Sequence, residues 1–454
     1  MSVIGIDMGT MYCSASWINP HTRQAELIDF MDTGSHKLPS VVLLYDKGQP
    51  CVGSGPYYLL EHLMGKTEAE RISILQHTIQ GIKQRMSPNG SFKLNDRSYS
   101  HVDILAEILK KIKNEAVRSC PSMGAINEAV LTYPLYFEEW QKDMYRKASE
   151  QAGFSTTTLI AEPIAAAVSF LKDNNVNNAN GLVVCNFGAG SFSAAYVLID
   201  SHGGTNEYHI AVPPRSDNSC GGKDLDMLLY KEWDKLAHDK FGRSIAISNN
   251  EVDFNFLFRC RKQKELMSQM PVFDFCELLP FRDNGTPQRI EWCLTRDAID
   301  RIFSPVIDKM VAMTTELMEA VKSASLPVEY IVLTGGGSRI PLVRERLEQK
   351  FQDVRVVLTG KADTTVALGA MYYRQKPETV KVEPSKQQPV KEKSEKPSPV
   401  PNFKNIISEA GKHIFVKADK QKDKTCTCYY CKKKITTDEK FCRHCGHPNI
   451  NYKP

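Results

Sequence analysis

The sequence predicts an α/β protein made of two similar lobes, and three observations lead there. A glycine-turn signature occurs twice, as Gly5-Ile6-Asp7-Met8-Gly9-Thr10 and as Asn186-Phe187-Gly188-Ala189-Gly190-Ser191, each entered by one short apolar strand and left by another. Around these turns, β-like runs alternate with amphipathic helical patterns. The chain has 454 residues, 42% of them apolar, enough for two or three domains with real cores.

The elements can be justified in order. Val3-Ile4-Gly5-Ile6 runs into the first turn, and Tyr12 to Ile18 leaves it. Leu105, Ile108, Leu109, Ile112 and Ala116 recur at helical spacing, so Val102 to Ser119 reads as a helix. Ala129 to Tyr133 is a strand stopped by Pro134, and a polar helix from Glu138 to Ala152 is closed by Gly153. Gly181 to Cys185 enters the second turn, and Phe192 to Ile199 leaves it. Ile331 to Thr334 is a further strand ending in Gly335-Gly336-Gly337; Pro341 then suits the first turn of a helix reaching Phe351. A strand–turn–strand with small residues at its tip lets backbone N–H groups approach a phosphate, because no Cβ blocks the path. Two such tips imply two lobes facing one nucleotide across a cleft.

Composition narrows the class. No run approaches the roughly 18 apolar residues of a membrane helix, and no basic stretch precedes an apolar one at the N-terminus, so a cytoplasmic protein is expected. The formal charge of +5 is uneven: residues 402–454 hold twelve Lys and Arg against five Asp and Glu, so the basic character belongs to the tail. Of 13 cysteines, eight are scattered between Cys13 and Cys293 in mostly apolar surroundings and read as buried thiols. The other five crowd between Cys426 and Cys445, which suits a reducing compartment with one local metal site better than a disulfide framework. Residues 376–401, with six Lys, four Glu and six Pro, read as a disordered linker.

Five segments, in order, resemble the actin-like ATPases, and within them the nucleotide-binding domain of the 70-kDa heat-shock (DnaK-type) chaperones. They are the two glycine turns, Leu131-Thr132-Tyr133-Pro134-Leu135-Tyr136-Phe137, Ala161-Glu162-Pro163-Ile164-Ala165-Ala166-Ala167, and Leu333-Thr334-Gly335-Gly336-Gly337-Ser338-Arg339-Ile340-Pro341. The resemblance implies an actin-like fold of two lobes with duplicated ribonuclease-H-like subdomains over residues 1–375, binding ATP or ADP with Mg²⁺. It assigns the γ-phosphate to Thr10 and a catalytic role to Lys83, which would stabilise developing negative charge. The plainer reading of Lys83 is a solvated surface lysine. Asp7 and Glu162 would hold hydrated Mg²⁺ or orient water; the plainer reading of Asp7 is a turn aspartate. Further nucleotide contacts implied are Gly9, Met11, Gly188, Ala189, Gly190, Ser191, Gly221, Gly222 and Asp363. Gly335, Gly336 and Gly337 would face purine and ribose, with Arg339 beside the adenine. The family grips ribose and adenine from the helix around Arg261, Lys264, Glu265 and Ser268, where this chain exchanges the charges at 261 and 265.

Three departures from the family bear on catalysis. Asn186 stands where the family has an aspartate, Ser193 replaces a second aspartate, and Ala189 replaces the middle glycine. Asparagine can hydrogen-bond a water but cannot act as a general base. ATP is therefore expected to bind and to turn over slowly or not at all. A fourth departure concerns the whole chain: after Gln375 only 79 residues remain, too few for the family's peptide-binding β-sandwich and helical lid.

In the tail (402–454), Cys428-x2-Cys431 and Cys442-x2-Cys445 stand ten residues apart, the spacing of a zinc ribbon over 425–448. Four thiolates on one tetrahedral Zn²⁺ make a structural site, and so small a fragment is expected to fold only with metal. The ribbon is read as a docking module for a protein partner. Its lysines, including Lys432-Lys433-Lys434, make nucleic acid the minor alternative. The leading expectation is an ATP-dependent conformational switch. The alternatives are a non-hydrolysing scaffold and a sugar kinase of the same superfamily.

Overall fold

Both predicted strand–turn–strand units form, and each lies at the centre of its own sheet. The computed structural model describes residues 2–374 apart from 46–47, 64–65, 177–178, 203–204, 247–251, 269 and 271, and beyond that only 425–427 and 434–436. The first sheet runs, in spatial order, Thr156–Ala161, Ile126–Tyr133, Ser2–Asp7, Tyr12–Ile18 and Ala25–Leu27. Its first three strands are parallel and the rest antiparallel. The second runs Arg355–Leu358, Tyr330–Thr334, Gly181–Phe187, Phe192–His202 and Thr205–Ile210, with the same directions. The repeat legible in the glycine turns is thus a repeat of topology. Register repeats as well: Asp7 faces Ser14 across the first hairpin, and Asn186 faces Ser193 across the second.

Helix limits agree with the periodicity to within a residue. The helix His101–Ser119 starts at a capping box, with Ser100 and Asp103 satisfying each other's backbone N–H. Its stripe Leu105, Ile108, Leu109, Ile112 and Ala116 is buried in the first lobe's core. Glu139–Gln151 and Pro341–Lys350 match their expected spans. Two helices meet between the sheets. Glu162–Asp173 packs on the second sheet and Thr365–Arg374 on the first, and the two make an extensive mutual contact. They cross so closely that a Cβ on Gly369 would lie 1.7 Å from the Ala165 carbonyl oxygen.

Above the cleft, Ser54–Glu61 from the first lobe meets Phe254–Met267 from the second. Tyr57 packs on Phe258 with ring centroids 5.2 Å apart, and Lys262 pairs with Glu61 at 2.9 Å. One expectation is corrected here. Cys13, Cys185, Cys220 and Cys260 are buried, but Cys276 and Cys293 are exposed. Those two lie on Val272–Asp283 and Thr286–Thr295, a two-stranded sheet whose alternate residues face solvent, so an apolar neighbour in sequence points to the opposite face. No helix of the described residues is long and apolar enough to cross a membrane.

Candidate functional site

The ends of the two central hairpins open into one cavity of about 550 Å³ between the lobes. Asp7 is the last residue of its strand, and Thr10 and Met11 complete that wall; Asn186, Gly188, Ala189, Gly190 and Ser191 form the opposite one. Glu162 arrives differently. The strand Thr156–Ala161 passes directly into the helix Glu162–Asp173, whose first turn holds Pro163, so Glu162 sits at the helix N-terminus and at the cavity floor. Lys83 follows Gly81, whose φ of 61° is left-handed and therefore favours glycine. That turn sends Ile82 into the core and Lys83 into the cavity.

The floor is a small charge network. Lys83 Nζ donates to Glu162 Oε1 in an ion pair buried on both sides. Asn186 Nδ2 donates to Glu162 Oε2 at 3.1 Å. Thr132 Oγ1 donates to Asp7 Oδ1 at 3.2 Å. Burial first, and then the charge of Glu162, push the Asp7 carboxyl up to about 7, against the opposing pull of Lys83 and Thr132. Burial would depress Lys83, but Glu162, with help from Asp7 and two tyrosines, holds it above the usual lysine range.

At the far end, Gly335, Gly336, Gly337 and Arg339 line the cavity with Asp363. Gly335 has φ 83°, and a Cβ there would meet Asn186 Oδ1 and Phe187 O, both at 2.6 Å. The glycine run thus lets this loop lie against the second glycine turn. Asp363 is held by Arg339 at 3.2 Å and by Lys37, from the other lobe, at 3.3 Å. Lys264 and Ser268 also line the cavity, with Lys264 Nζ donating to Gly222 O at 2.7 Å and pairing with Asp226 at 2.6 Å.

Of the residues singled out in the sequence, two stand apart from the cavity wall. Gly221 lies beneath the second turn, where a Cβ would strike Ser191 N at 2.6 Å. Arg261 is turned into the lobe and pairs with Asp226 at 3.4 Å, with 4% of its surface exposed. The charge exchange at 261 and 265 therefore leaves only Glu265 on this cavity. Cys428, Cys431, Cys442 and Cys445 lie outside the described residues. Sequence reasoning missed Tyr12, Lys37 and Tyr136. Tyr136 stood inside a segment already singled out, two residues after Pro134, whereas Lys37 carries no motif.

A family model for the Hsp70 protein matches residues 3–374. This chain belongs to the Hsp70 family. Among curated relatives, Chaperone protein DnaK of Thermotoga petrophila is 28% identical over 375 residues, which cover 81% of this chain and 58% of that protein. The DnaK of Thermosipho melanesiensis is 29% identical over 382 residues with the same coverage. That of Nitrosopumilus maritimus is 26% identical over 349 residues, covering 76% and 51%. The chain thus spans just over half the length of these relatives. Its two mixed sheets agree with the two-lobed actin-like ATPase fold of the Hsp70 nucleotide-binding region.

Membership of the Hsp70 family implies ATP or ADP with Mg²⁺, and the cavity suits both. Its floor offers the oxygens of Asp7, Glu162 and the Asn186 amide, and among the described residues no histidine or cysteine lines it, a donor set that suits a hard cation. The Asp7 carboxyl, pushed up to about 7 by burial and by Glu162, must release its proton to take a cation. Lys37, Lys83, Lys264 and Arg339 supply positive charge for an anionic ligand.

Proposed function

We propose that this chain is a nucleotide-dependent switch whose lobes close on ATP and whose hydrolysis is slow at most. The observation that carries this reading is the matched register of Asp7 and Asn186 at the ends of duplicated hairpins, facing one cavity. One position keeps a carboxylate, and the other has an amide in its place. Asn186 spends its N–H on Glu162, and its carbonyl cannot take a proton from an attacking water. Glu162 is engaged on both oxygens, by Lys83 and Asn186, so it too is poorly placed as a base. Mg²⁺ bound with ATP supplies neutralisation of the phosphate charge. Asp7 would hold that ion, Lys83 and Thr10 would position the terminal phosphate, and the Gly335–Gly337 loop with Arg339 would take the adenosine. Calorimetric titration with ATP and Mg²⁺, beside single-turnover phosphate release, tests this. Binding with slow release is expected, with Asn186→Asp raising the rate by about 10²-fold or more. No binding, or an unchanged rate in Asn186→Asp, would sink the reading; binding with no release at all would leave a nucleotide-bound scaffold.

The tail is assigned to a partner-docking zinc ribbon. The strands Thr425–Thr427 and Lys434–Thr436 pair antiparallel, and they flank Cys428 and Cys431 in sequence, which supports a ribbon. One chelatable zinc per chain is expected by atomic absorption; a chain free of zinc as purified would contradict it.

A further inference from the structure

Three consecutive backbone carbonyls of the second glycine turn are tied off. Gly188 O accepts from Gly222 N at 2.9 Å and Ala189 O from Lys223 N at 2.8 Å, both at the start of the helix Gly222–Phe241 in the same lobe. Gly190 O is held instead by the other lobe, where Gln84 Nε2 donates to it at 2.6 Å. Gln84 is fixed in turn, because its Oε1 accepts from Lys223 Nζ at 3.2 Å, so one amide spends both of its ends across the cleft. The approach leaves no slack. A Cβ on Gly190 would lie 2.5 Å from Gln84 Nε2 and 2.9 Å from Thr10 Oγ1, so the tips of both turns meet at this amide. In a planar trans peptide the C=O and N–H point opposite ways. Holding Gly190 O therefore fixes the Ser191 N–H of the same peptide, which points away from Gln84 and meets no acceptor among the described residues. Ser191 lines the first cavity, and Gln84 follows Lys83 in the short helix Ile82–Arg85.

We propose that Gln84 is a positioning residue for the terminal phosphate of ATP: it holds the second turn so that the Ser191 N–H of the opposite lobe is ready for that phosphate. This rests on the nucleotide reading above, in which Thr10 and Lys83 take the terminal phosphate. A backbone N–H gives most to an anion when its direction is set before the anion arrives. A nucleotide without the terminal phosphate leaves this N–H with nothing to hold, so Gln84 favours the triphosphate over the diphosphate. By linkage, the triphosphate in turn keeps Gln84 on Gly190 and the lobes together.

The full chain, with Mg²⁺, is titrated with a non-hydrolysable ATP analogue and with ADP, as wild type, Gln84→Leu and Gln84→Glu. Leucine removes both hydrogen bonds, whereas glutamate keeps an acceptor for Lys223 and sets a carboxylate against Gly190 O. Both variants are expected to bind the analogue about tenfold more weakly than wild type, with ADP affinity within about twofold. Retained ADP binding shows that the variants fold. Equal weakening for the two nucleotides would make Gln84 a general clasp of the lobes and overturn the proposal, as would unchanged analogue affinity in either variant. Wild type that binds ADP but not the analogue also overturns it. Wild type that binds neither nucleotide sinks the nucleotide reading itself, and this inference with it.

Discussion

Asp7 is a carboxylate that its surroundings make reluctant to ionise. Burial and the neighbouring Glu162 raise its pKa from 3.8 to about 7. The folded chain therefore holds this proton more tightly than the unfolded one, and Asp7 makes ligand-free stability fall as pH rises between those two values. Mg²⁺ must bind the ionised form. Mg²⁺-dependent ATP affinity should accordingly increase from about pH 6 to about pH 8, with proton release below neutrality. Calorimetry in buffers of different ionisation enthalpy measures that proton. A pH-independent affinity, or a slope that persists in Asp7→Asn, would count against this role. At this scale the sequence was most legible where residue type and motif coincide, as at Asp7, Glu162 and Asn186. It was silent on Lys37, which reaches Asp363 from the other lobe. No spacing in a sequence encodes an ion pair between residues more than 300 positions apart.

The decisive element contact is the crossing of Glu162–Asp173 with Thr365–Arg374. Gly369 and Ala165 let the two backbones touch, while Ser16 Oγ donates to Ala367 O at 2.7 Å and ties the second helix to the first sheet. Any side chain at 369 would drive the helices apart and move Glu162, which begins one of them. Gly369→Val should destabilise the chain by about 3 kcal/mol or more and weaken nucleotide binding, as read by denaturant melts and titration. A loss below about 1 kcal/mol would show that the crossing is not tightly packed. Helical periodicity fixes where His101–Ser119 begins and ends, because its apolar stripe and its capping box are local. The helix Thr365–Arg374 went unread because it is buried almost all round and so lacks an amphipathic period.

For the whole molecule, access to the first cavity depends on how the lobes meet above it. Tyr57 touches Phe258 across the cleft and shares a 2.7 Å hydroxyl hydrogen bond with Tyr12, beside the first glycine turn. Gln84 Nε2 donates to Gly190 O at 2.6 Å, a further link between the lobes beside Lys262–Glu61 and Lys37–Asp363. Opening must break these contacts. Tyr57→Ala should speed release of a fluorescent nucleotide roughly tenfold while leaving the phosphate contacts in place. An unchanged release rate would place the barrier elsewhere.

By itself the sequence determined two hairpins of one design, the helices with a clear apolar period, and the amide of Asn186 in the second hairpin where the first has the carboxylate of Asp7. These are local properties, set by residue type and by neighbours within a few turns. Only the tertiary structure decided that Asp7, Lys83, Glu162 and Asn186 share one charge network, and that Arg261 turns away from it to pair with Asp226. Burial and electrostatic coupling act through space, and their strength depends on distances that chain separation does not record.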